Sequence, residues 1–546
     1  MKKSGLLVLL ILCVISWTSF GQDPDNRFKM VGKNPQSILI NQSFSETVEI
    51  FPFGQNDKPI YGLDVSADIK LNGENSIVRL VLFDTNFNEY LIYESYDLLL
   101  EGNNSFSIKE ICEETSVLEG INPYSIQIGI ENAQIQLKSL NFSTDIDSGL
   151  EIENLKKEKK QDQNAVKIQK INNNLKKKGK HWIAGPTSVS ELSYGERKRL
   201  YGQSTFPSGF EYYSGGVILA SSTASAETGD GILKSATTTA ESPYVDEWDW
   251  RDRHGKNWIT PITNQEGCGS CWAFATAGAT EAMTNLFFNQ QLNLDLSEQE
   301  LVSCSGAGDC VSGYPAYALD YIKNSGIFDE STFPYSASDQ LCSDKGNNPV
   351  ETIKIGGRID FGTSEYPKTS DVLKDMLIKL GPLSSGQRNW AHAMVLVGYK
   401  VVKEGDIFYY QNTDGVRSWQ VVEAGSSLIG KTVWIFKNSW GPYFGDSGYV
   451  YIESTMDNFD WTHAIVAPIT STTKNYNVIF EDKDGDGYYW WGLGPKPATC
   501  PGHAEPDGND SDATLGPLDD YGHCIVIGAQ PMANFSANSN TVVEGE

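Results

Sequence analysis

Positive charge and long apolar runs are both scarce in this sequence. Its 546 residues include 43 Lys and Arg against 70 Asp and Glu, which gives a formal net charge of −27 at pH 7. A chain this acidic repels phosphate backbones, and this argues against nucleic acid as a partner. Beyond the first residues, no segment approaches the roughly 18 consecutive apolar residues that a transmembrane helix requires. We therefore expect no membrane span, and the 40% of hydrophobic residues is enough for buried cores.

The first 21 residues have the composition of an export signal. Met1–Lys3 is charged, Leu6–Ile15 is apolar, and Thr18–Gly21 offers small residues for cleavage. The apolar part is too short for a stable membrane span. We therefore predict a signal peptide over 1–21 and a secreted, extracellular protein that can carry disulfides.

The length allows about three or four domains of roughly 150 residues each. Residues 22–147 alternate between apolar and polar in short runs, such as Val78–Phe83 and Tyr124–Ile130, broken by Asn, Gly and Asp. This alternation is typical of an antiparallel β-sandwich. The range shows no nucleophile–base pair and no metal-ligand cluster, so we interpret it as a structural or folding module. Contact with a substrate or a surface glycan is the alternative.

The most informative short segment is QEGCGSCW at residues 265–272. Cys271 precedes a proline-free stretch of helix formers, Ala273–Met283, which predicts that its thiol lies in the first turn of a helix. A helix N-terminus favours the thiolate, which is the nucleophilic form of cysteine. The pair Cys268 and Cys271 also fits a redox or zinc site. That alternative would need a redox fold or two further ligands at metal spacing.

Two later motifs supply a base and an amide. His392 stands at the head of the apolar run AMVLVGY, and Asn438 lies in the segment WIFKNSWG at residues 434–441. Together with CGSCW, and in the same chain order, these motifs resemble the three signatures of papain-like cysteine proteases. The resemblance implies an α+β, two-lobed papain-like domain over 243–468, with a helical lobe, a barrel-like lobe and a peptide-binding cleft between them.

The resemblance also implies the roles of the site residues. Cys271 is the nucleophile, and His392 is the base that takes its proton and later protonates the leaving amine. Asn438 orients the imidazole, and Trp440 shields that contact from water. Gln265 and the backbone N–H of Cys271 donate to the oxyanion. The alternative is a silent relative that acts as an adhesin, which the loss of any triad member would have favoured.

Substrate contacts follow from the same resemblance. The peptide backbone pairs with Gly313, and a hydrophobic P2 side chain is favoured by an apolar pocket. The aligned pocket positions are Tyr314, Pro315, Leu383, Trp390 and Ala393. The stretch before His392 is shorter than is usual in the family, and an inserted segment at 400–431 alternates, which predicts an extra hairpin.

Nine cysteines are present, one of them within the export signal. The resemblance implies the bridges Cys268–Cys310 and Cys304–Cys342, because spacing alone does not choose among pairings. We expect a third bridge, Cys500–Cys524, in the tail. Cys112 is left over and is interpreted as a buried free thiol.

Residues 148–242 change character. The basic range Lys156–Lys180 has the spacing of a helix, and a Ser/Thr/Ala-rich tract at 220–240 is typical of a cleavable linker. The segment loosely resembles the inhibitory propeptide of papain-like zymogens, in which a helix leads an extended chain through the cleft. A plain interdomain linker is the alternative. We predict cleavage between about Lys234 and Tyr244, and docking of the basic helix on the acidic enzyme.

A different module is predicted over 469–530. The segment DKDGDG at 482–487 places three carboxylates at alternate positions with a turn glycine, the front half of a calcium loop. The closing glutamate of an EF-hand is absent, because Leu493 stands at its position. Further oxygen ligands are expected from Asp507, Asn509, Asp510 and Asp512. We predict structural Ca²⁺ on Asp482, Asp484, Asp486, Asp510 and Asp512, with an acidic solvated turn as the alternative, and no cofactor for catalysis.

The last residues, 531–546, resemble the opening of a polycystic-kidney-disease-type β-sandwich repeat. They are too few to fold as such a repeat. We therefore expect the natural chain to continue past Glu546.

Overall fold

The computed structural model describes most of the chain. The described residues are 28–53, 58–72, 76–95, 105–146, 151–177, 184–200, 211–213, 217–219, 242–411, 417–426 and 428–527. The predicted export signal, the tract at 220–240 and the predicted repeat opening at 531–546 lie outside these ranges. Within them, no helix combines the length and apolarity that crossing a bilayer demands.

The N-terminal region contains two antiparallel sheets whose inner faces share one core. Inward positions such as Ile126, Ile128 and Leu137 are fully buried and alternate with exposed neighbours, because successive side chains of a strand point to opposite faces. The described strands are ordered β1-β8-β3-β6 in one sheet and β2-β7-β4-β5 in the other. Their bounds are β1 Gln36–Phe44, β2 Val48–Ile50, β3 Gly62–Leu71, β4 Ile77–Asp84, β5 Glu89–Glu94, β6 Ser105–Ile111, β7 Pro123–Glu131 and β8 Ala133–Ser143.

Two helices and two short strands follow. They are α1 Ile152–Lys177, α2 Tyr194–Leu200, β9 Glu211–Tyr213 and β10 Val217–Leu219. The expected docking of the basic helix on the protease is wrong, because lysines of α1 pair with carboxylates of the N-terminal region. Lys156 Nζ lies 2.6 Å from Glu119 and Lys167 Nζ lies 2.5 Å from Glu113. Glu113 and Glu119 lie in the connection between β6 and β7, a location that net charge alone does not reveal.

Within its described residues, the predicted protease region has four α-helices and most of the remaining strands. The helices are α3 Cys271–Phe288, α4 Glu298–Cys304, α5 Pro315–Ser325 and α6 Ser370–Leu380. The strands are β11 Glu247–Asp249, β12 Ile327–Phe328, β13 Thr352–Lys354, β14 Gly357–Asp360, β15 Leu383–Gln387, β16 His392–Val401, β17 Ile407–Gln411, β18 Arg417–Val421, β19 Thr432–Lys437, β20 Tyr449–Glu453, β21 Phe459–Val466 and β22 Thr470–Ser471. The main sheet runs β14-β21-β15-β16-β19-β20-β10-β9, with β10 parallel to β20.

Helix α3 is buried along its whole length. Its sequence allows this because most of its residues are small or apolar, and its threonine hydroxyls find hydrogen-bond acceptors within the helix. Thr276 and Thr280 each donate to the carbonyl four residues earlier, at 2.7 and 2.8 Å. A central buried helix therefore presents its first residue, Cys271, to the sheet that carries β16.

The inserted segment at 400–431 forms a hairpin, as predicted, from β17 and β18. Its buried side has a small core of its own that includes Phe408 and Val422. Phe408 packs edge-on against Tyr451 of β20, with ring centroids 5.1 Å apart. The insertion therefore extends the barrel side of the protease rather than forming a separate unit.

The cysteines agree with the sequence interpretation in the protease and disagree with it in the tail. Cys268–Cys310 and Cys304–Cys342 are disulfides, and Cys112 is a buried free thiol. The predicted Cys500–Cys524 bridge is wrong, because both are free. Cys524 lies in the hairpin of β23 (Leu515–Leu518) and β24 (Cys524–Val526), beside Gly508. The Cys500 thiol instead donates to the Pro501 carbonyl.

Candidate active site

Cys271 is the first residue of α3 and is buried. The backbone of Ala393, on β16, hydrogen-bonds its thiol across the cleft. Burial nevertheless raises the pKa of Cys271 to about 11, against the lowering effect of the backbone N–H groups at the helix start. The thiol is therefore protonated in this closed state.

His392 begins β16, and Asn438 directly follows β19, the strand paired with it. Asn438 Oδ1 lies 2.8 Å from His392 Nε2. The Trp440 ring packs against the imidazole at 4.6 Å between centroids, and Trp390 meets it edge-on at 5.8 Å. Burial lowers the pKa of His392 to about 4. The aromatic cover expected from Trp440 is present.

The other imidazole nitrogen faces a residue from outside the protease region. His392 Nδ1 lies 3.1 Å from the carbonyl oxygen of Leu200, the last residue of α2. A carbonyl and Asn438 Oδ1 both accept, so only the imidazolium donates to both at once. Since burial disfavours that form, the proton sits on one nitrogen at a time. In either tautomer, the Leu200 carbonyl lies against Nδ1, the ring nitrogen that does not contact Asn438.

Gln265 is fully buried, and hydrogen bonds hold both its side chain and its backbone. Its Nε2 donates to the Cys268 carbonyl at 2.9 Å, and Ser439 Oγ donates to its Oε1 at 2.6 Å. The Tyr335 hydroxyl donates to its backbone carbonyl at 2.8 Å. One amide hydrogen remains for another acceptor, so the side chain is oriented in advance for an oxyanion.

Comparison with known proteins decides the family. Residues 244–469 match the family model described as papain family cysteine protease. Digestive cysteine proteinase 3 of Homarus americanus is 34% identical over 238 residues, which are 42% of this chain and 67% of that protein. The chain belongs to the papain family of cysteine proteases.

Other comparisons show how much of each relative's length this chain covers. Cathepsin S of Bos taurus is 34% identical over 218 residues, 39% of this chain and 61% of that protein. The chain thus spans about three fifths to two thirds of these curated relatives. A solved structure of a digestive procathepsin L2 proteinase from Tenebrio molitor gives a TM-score of 0.38 at 20% identity, covering 57% of this chain and 94% of that chain.

Residues 184–200 lie over the cleft of this papain-family protease. The Ser188 hydroxyl donates to the Trp440 carbonyl, and Glu196 lies so close to Gly267 that a Cβ there would be 3.0 Å from its Cγ. Val189 and Leu200 are buried in the protease core cluster. The sequence predicted an extended chain here, but the part that reaches His392 is the short helix α2. Leu200 had no recognisable signal in the sequence.

The predicted P2 residues fall into two groups. Gly313 lies against the Trp272 indole, where a Cβ would be 2.3 Å from a ring atom, so no larger residue fits. The adjoining Tyr314 is half exposed and Pro315 is buried at the start of α5. Leu383, Ala393 and Trp390 are buried on the other lobe. Trp390 packs on Trp440 at 5.4 Å, and its ring lies beside the His392 imidazole.

One aromatic residue at the cleft escaped the sequence analysis. Trp461 of β21 is 43% exposed and meets Tyr314 edge-on at 6.0 Å, so the pair joins the helical and barrel sides. In the sequence, nothing but a tryptophan within the segment FDWTHAIV marked this position. The P2 pocket itself stays a prediction.

The predicted calcium ligands are only partly brought together. Ligand oxygens of Asp482, Asp484 and Asp486 lie within 4.8 Å of one another, and so do those of Asp484, Asp507 and Asp510. Asp512 belongs to neither group within the described residues, and its role as a ligand stays a prediction. Its carboxylate is exposed and accepts from the Thr514 hydroxyl at 2.7 Å.

Proposed function

We propose that this protein is a secreted cysteine endopeptidase made as a zymogen. Its catalytic groups are Cys271, His392 and Asn438, with Gln265 as oxyanion donor. The observation that carries the proposal is the 2.8 Å contact between His392 Nε2 and Asn438 Oδ1 beside a cysteine at a buried helix start. The signal peptide at 1–21, the prosegment at 148–242 and the protease at 243–468 are parts of the same proposal. The protease disulfides agree with export.

The chemistry follows from which atoms remain free once the cleft opens. The Cys271 thiol passes its proton to His392 Nδ1, and the thiolate attacks the peptide carbonyl carbon. The oxyanion accepts from the free Gln265 amide hydrogen and the Cys271 N–H. Collapse expels the amine, which takes its proton from His392. A water deprotonated by the same imidazole then hydrolyses the thioester, and Asn438 keeps the ring in place.

Substrates are proteins or peptides bound in an extended form. Gly313 offers its backbone because Trp272 leaves no room for a side chain there. A hydrophobic P2 residue is favoured because the aligned positions, Tyr314 and Pro315 among them, are aromatic or aliphatic. The calcium ion predicted for the C-terminal module belongs to this proposal only as a structural ion.

Latency is supported by the Leu200 contact. The closed cleft buries both reacting groups, which opposes the thiolate and the imidazolium alike. Leu200 also covers Nδ1, the atom that must receive the thiol proton. Removing residues 184–200 would expose both groups to water and to substrate.

The N-terminal sheets support the same state by holding the prosegment. Lys198 Nζ lies 2.7 Å from Glu89, and the backbone N–H of Tyr194 donates to Glu114 at 2.5 Å. Both residues belong to α2, which ends at Leu200. We propose that this region anchors the inhibitory helix. Contact of the region with a surface glycan remains the alternative prediction.

A thiol-directed epoxide tests the proposal on the full chain, carrying an inserted recognition site for a specific protease in the 220–240 tract. Uncut protein should resist the label. After cutting and removal of the N-terminal part, Cys271 should be labelled and peptide hydrolysis should appear, while Cys271→Ala shows neither. A cut, folded protein that never hydrolyses peptides would favour the adhesin alternative.

A further inference from the structure

The C-terminal region buries several carboxylates close together. Asp507 and Asp510 are 1% and 0% exposed, and both group with Asp484. One oxygen of each side chain is fixed by a backbone N–H. Asp507 accepts from Asn509 at 2.9 Å and Asp510 accepts from Lys483 at 2.7 Å. The site is therefore formed by side chains that are already oriented.

The second oxygen of each carboxylate has no hydrogen-bond partner. Within the described residues, Oδ2 of Asp484, Asp486, Asp507 and Asp510 are all buried and unsatisfied. Buried carboxylates without partners are costly, and neighbouring like charges add to that cost. The cluster thus leaves four buried carboxylate oxygens without a hydrogen-bond donor.

The nearby basic side chains are directed elsewhere. Lys483 Nζ donates to the His254 carbonyl at 3.0 Å and comes only within 3.7 Å of Asp510 Oδ2. The Arg253 guanidinium lies over the Trp248 ring and donates to the Gly508 carbonyl at 2.7 Å. Neither donates a hydrogen bond to the unsatisfied oxygens. A positive ion from solution would supply the contacts that these oxygens lack.

We propose that Asp484, Asp486, Asp507 and Asp510 bind one divalent cation, calcium above all, and that this ion fastens the C-terminal region to the protease. Hard oxygen ligands in a loop of irregular geometry suit Ca²⁺ better than the strict octahedron of Mg²⁺. This ligand set omits Asp482 and Asp512 from the set predicted from sequence and includes Asp507, which the sequence offered as a further oxygen ligand.

The C-terminal region contacts the protease at His254, which precedes helix α3 in the chain. The backbone N–H of Asp510 donates to His254 Nδ1 at 3.3 Å, and the imidazole stacks on Trp490 at 3.7 Å. The next contact is Lys256 with Glu481 at 2.7 Å. Beyond it, the Leu493 N–H donates to the Leu286 carbonyl in the last turn of α3 at 2.8 Å. An ion that orders Asp507 and Asp510 therefore stabilises the protease as well.

The test uses the full chain with Cys271→Ala, so that self-digestion is excluded and peptidase activity is irrelevant. After chelation, calcium or magnesium chloride is titrated while the thermal midpoint and the binding heat are followed. At a hundredfold excess over Kd, calcium should raise the midpoint by roughly 5–10 °C, and magnesium should raise it less. Asp507→Asn and Asp510→Asn should lose the shift, whereas the matched control Asp512→Asn should keep it.

A direct readout covers variants that fold poorly. Terbium luminescence sensitised by the nearby Trp490 should report ion binding in the chain and be lost in Asp507→Asn with unchanged far-ultraviolet circular dichroism. Absence of calcium heat and of terbium signal in the Cys271→Ala chain would overturn the proposal. So would an Asp512→Asn variant that loses binding while Asp507→Asn retains it. A peptidase that proves inactive would leave either result unaffected.

Discussion

The catalytic cleft and the acidic loop of the C-terminal region are both buried, yet they handle charge in opposite ways. In the cleft, Cys271 and His392 are an acid and a base that become neutral together, and Leu200 closes over them. In the loop, Asp507 and Asp510 are like charges, so burial opposes the ionised form of both and neither offers the other an opposite charge. A complementary pair is therefore silenced by burial under the chain's own helix, whereas a cluster of one sign gains from a cation supplied by solution.

The largest expected effect removes one member of the complementary pair. Cys271→Ala should lower peptide hydrolysis by roughly 10⁶-fold, because no other group supplies the nucleophile. Cys271→Ser should retain less than about a tenth of the wild-type rate, since its hydroxyl lacks the acidity of a thiol. Cleavage of a fluorogenic peptide by the processed protein measures both. A serine variant at near wild-type rate would show that the mechanism is wrong.

The rate at which Cys271 is alkylated, measured against pH, reports how strongly burial keeps the thiol protonated. Because burial raises the pKa of Cys271 to about 11, the thiolate form grows only as the pH rises toward that value. Below it, the uncut chain should react with iodoacetamide at least about 10³-fold more slowly at pH 7 than the processed enzyme. Cys112, Cys500 and Cys524 are also free thiols, so Cys271→Ala serves as the blank for each measurement. Equal rates before and after processing would contradict closure by Leu200.

The oxyanion donor gives a smaller effect on the opened cleft. Gln265→Ala should lower kcat by roughly 10²-fold with a smaller change in KM, because its remaining N–H acts in the transition state. Asn438→Ala should be milder than His392→Ala, since orienting a base matters less than supplying one. Steady-state kinetics of the processed variants decides this. If Gln265→Ala changes KM as much as kcat, the residue binds the ground state instead.

Weakening the anchor of the inhibitory helix should have the smallest effect. Glu89→Gln removes the ion pair with Lys198 and should raise the residual activity of the uncut chain about twofold to fivefold, as expected for a partly exposed pair. Added salt should have the same effect on the wild type and little on the variant. Asp68→Asn, which breaks a pair with Lys138 within the same sheets, is the matched control and should change nothing.

The residues proposed for catalysis could be picked out from sequence because each stands in a local context that the chemistry requires. Cys271 heads a helix, His392 heads an apolar strand, and Asn438 follows the strand beside it. The closure by Leu200 could not be predicted, because a carbonyl carries no side-chain signal. The sequence offered both Asp507 and Asp512 as oxygen ligands, and alternating carboxylates do not reveal that the fold buries the first and leaves the second exposed. The Cys500–Cys524 bridge was inferred from what remained unpaired, and it failed because the two thiols face different neighbours.

The pairing of β10 with β20 affects how fast peptidase activity would appear after cleavage. The strand pairs Val217 with Tyr451 and Leu219 with Glu453, and it precedes the predicted cutting region. A cut there severs the chain without separating the pieces. The inhibitory piece then changes from a tethered occupant at millimolar effective concentration to a free competitor. Onset of activity should therefore follow dissociation, and it should be faster in dilute than in concentrated protein.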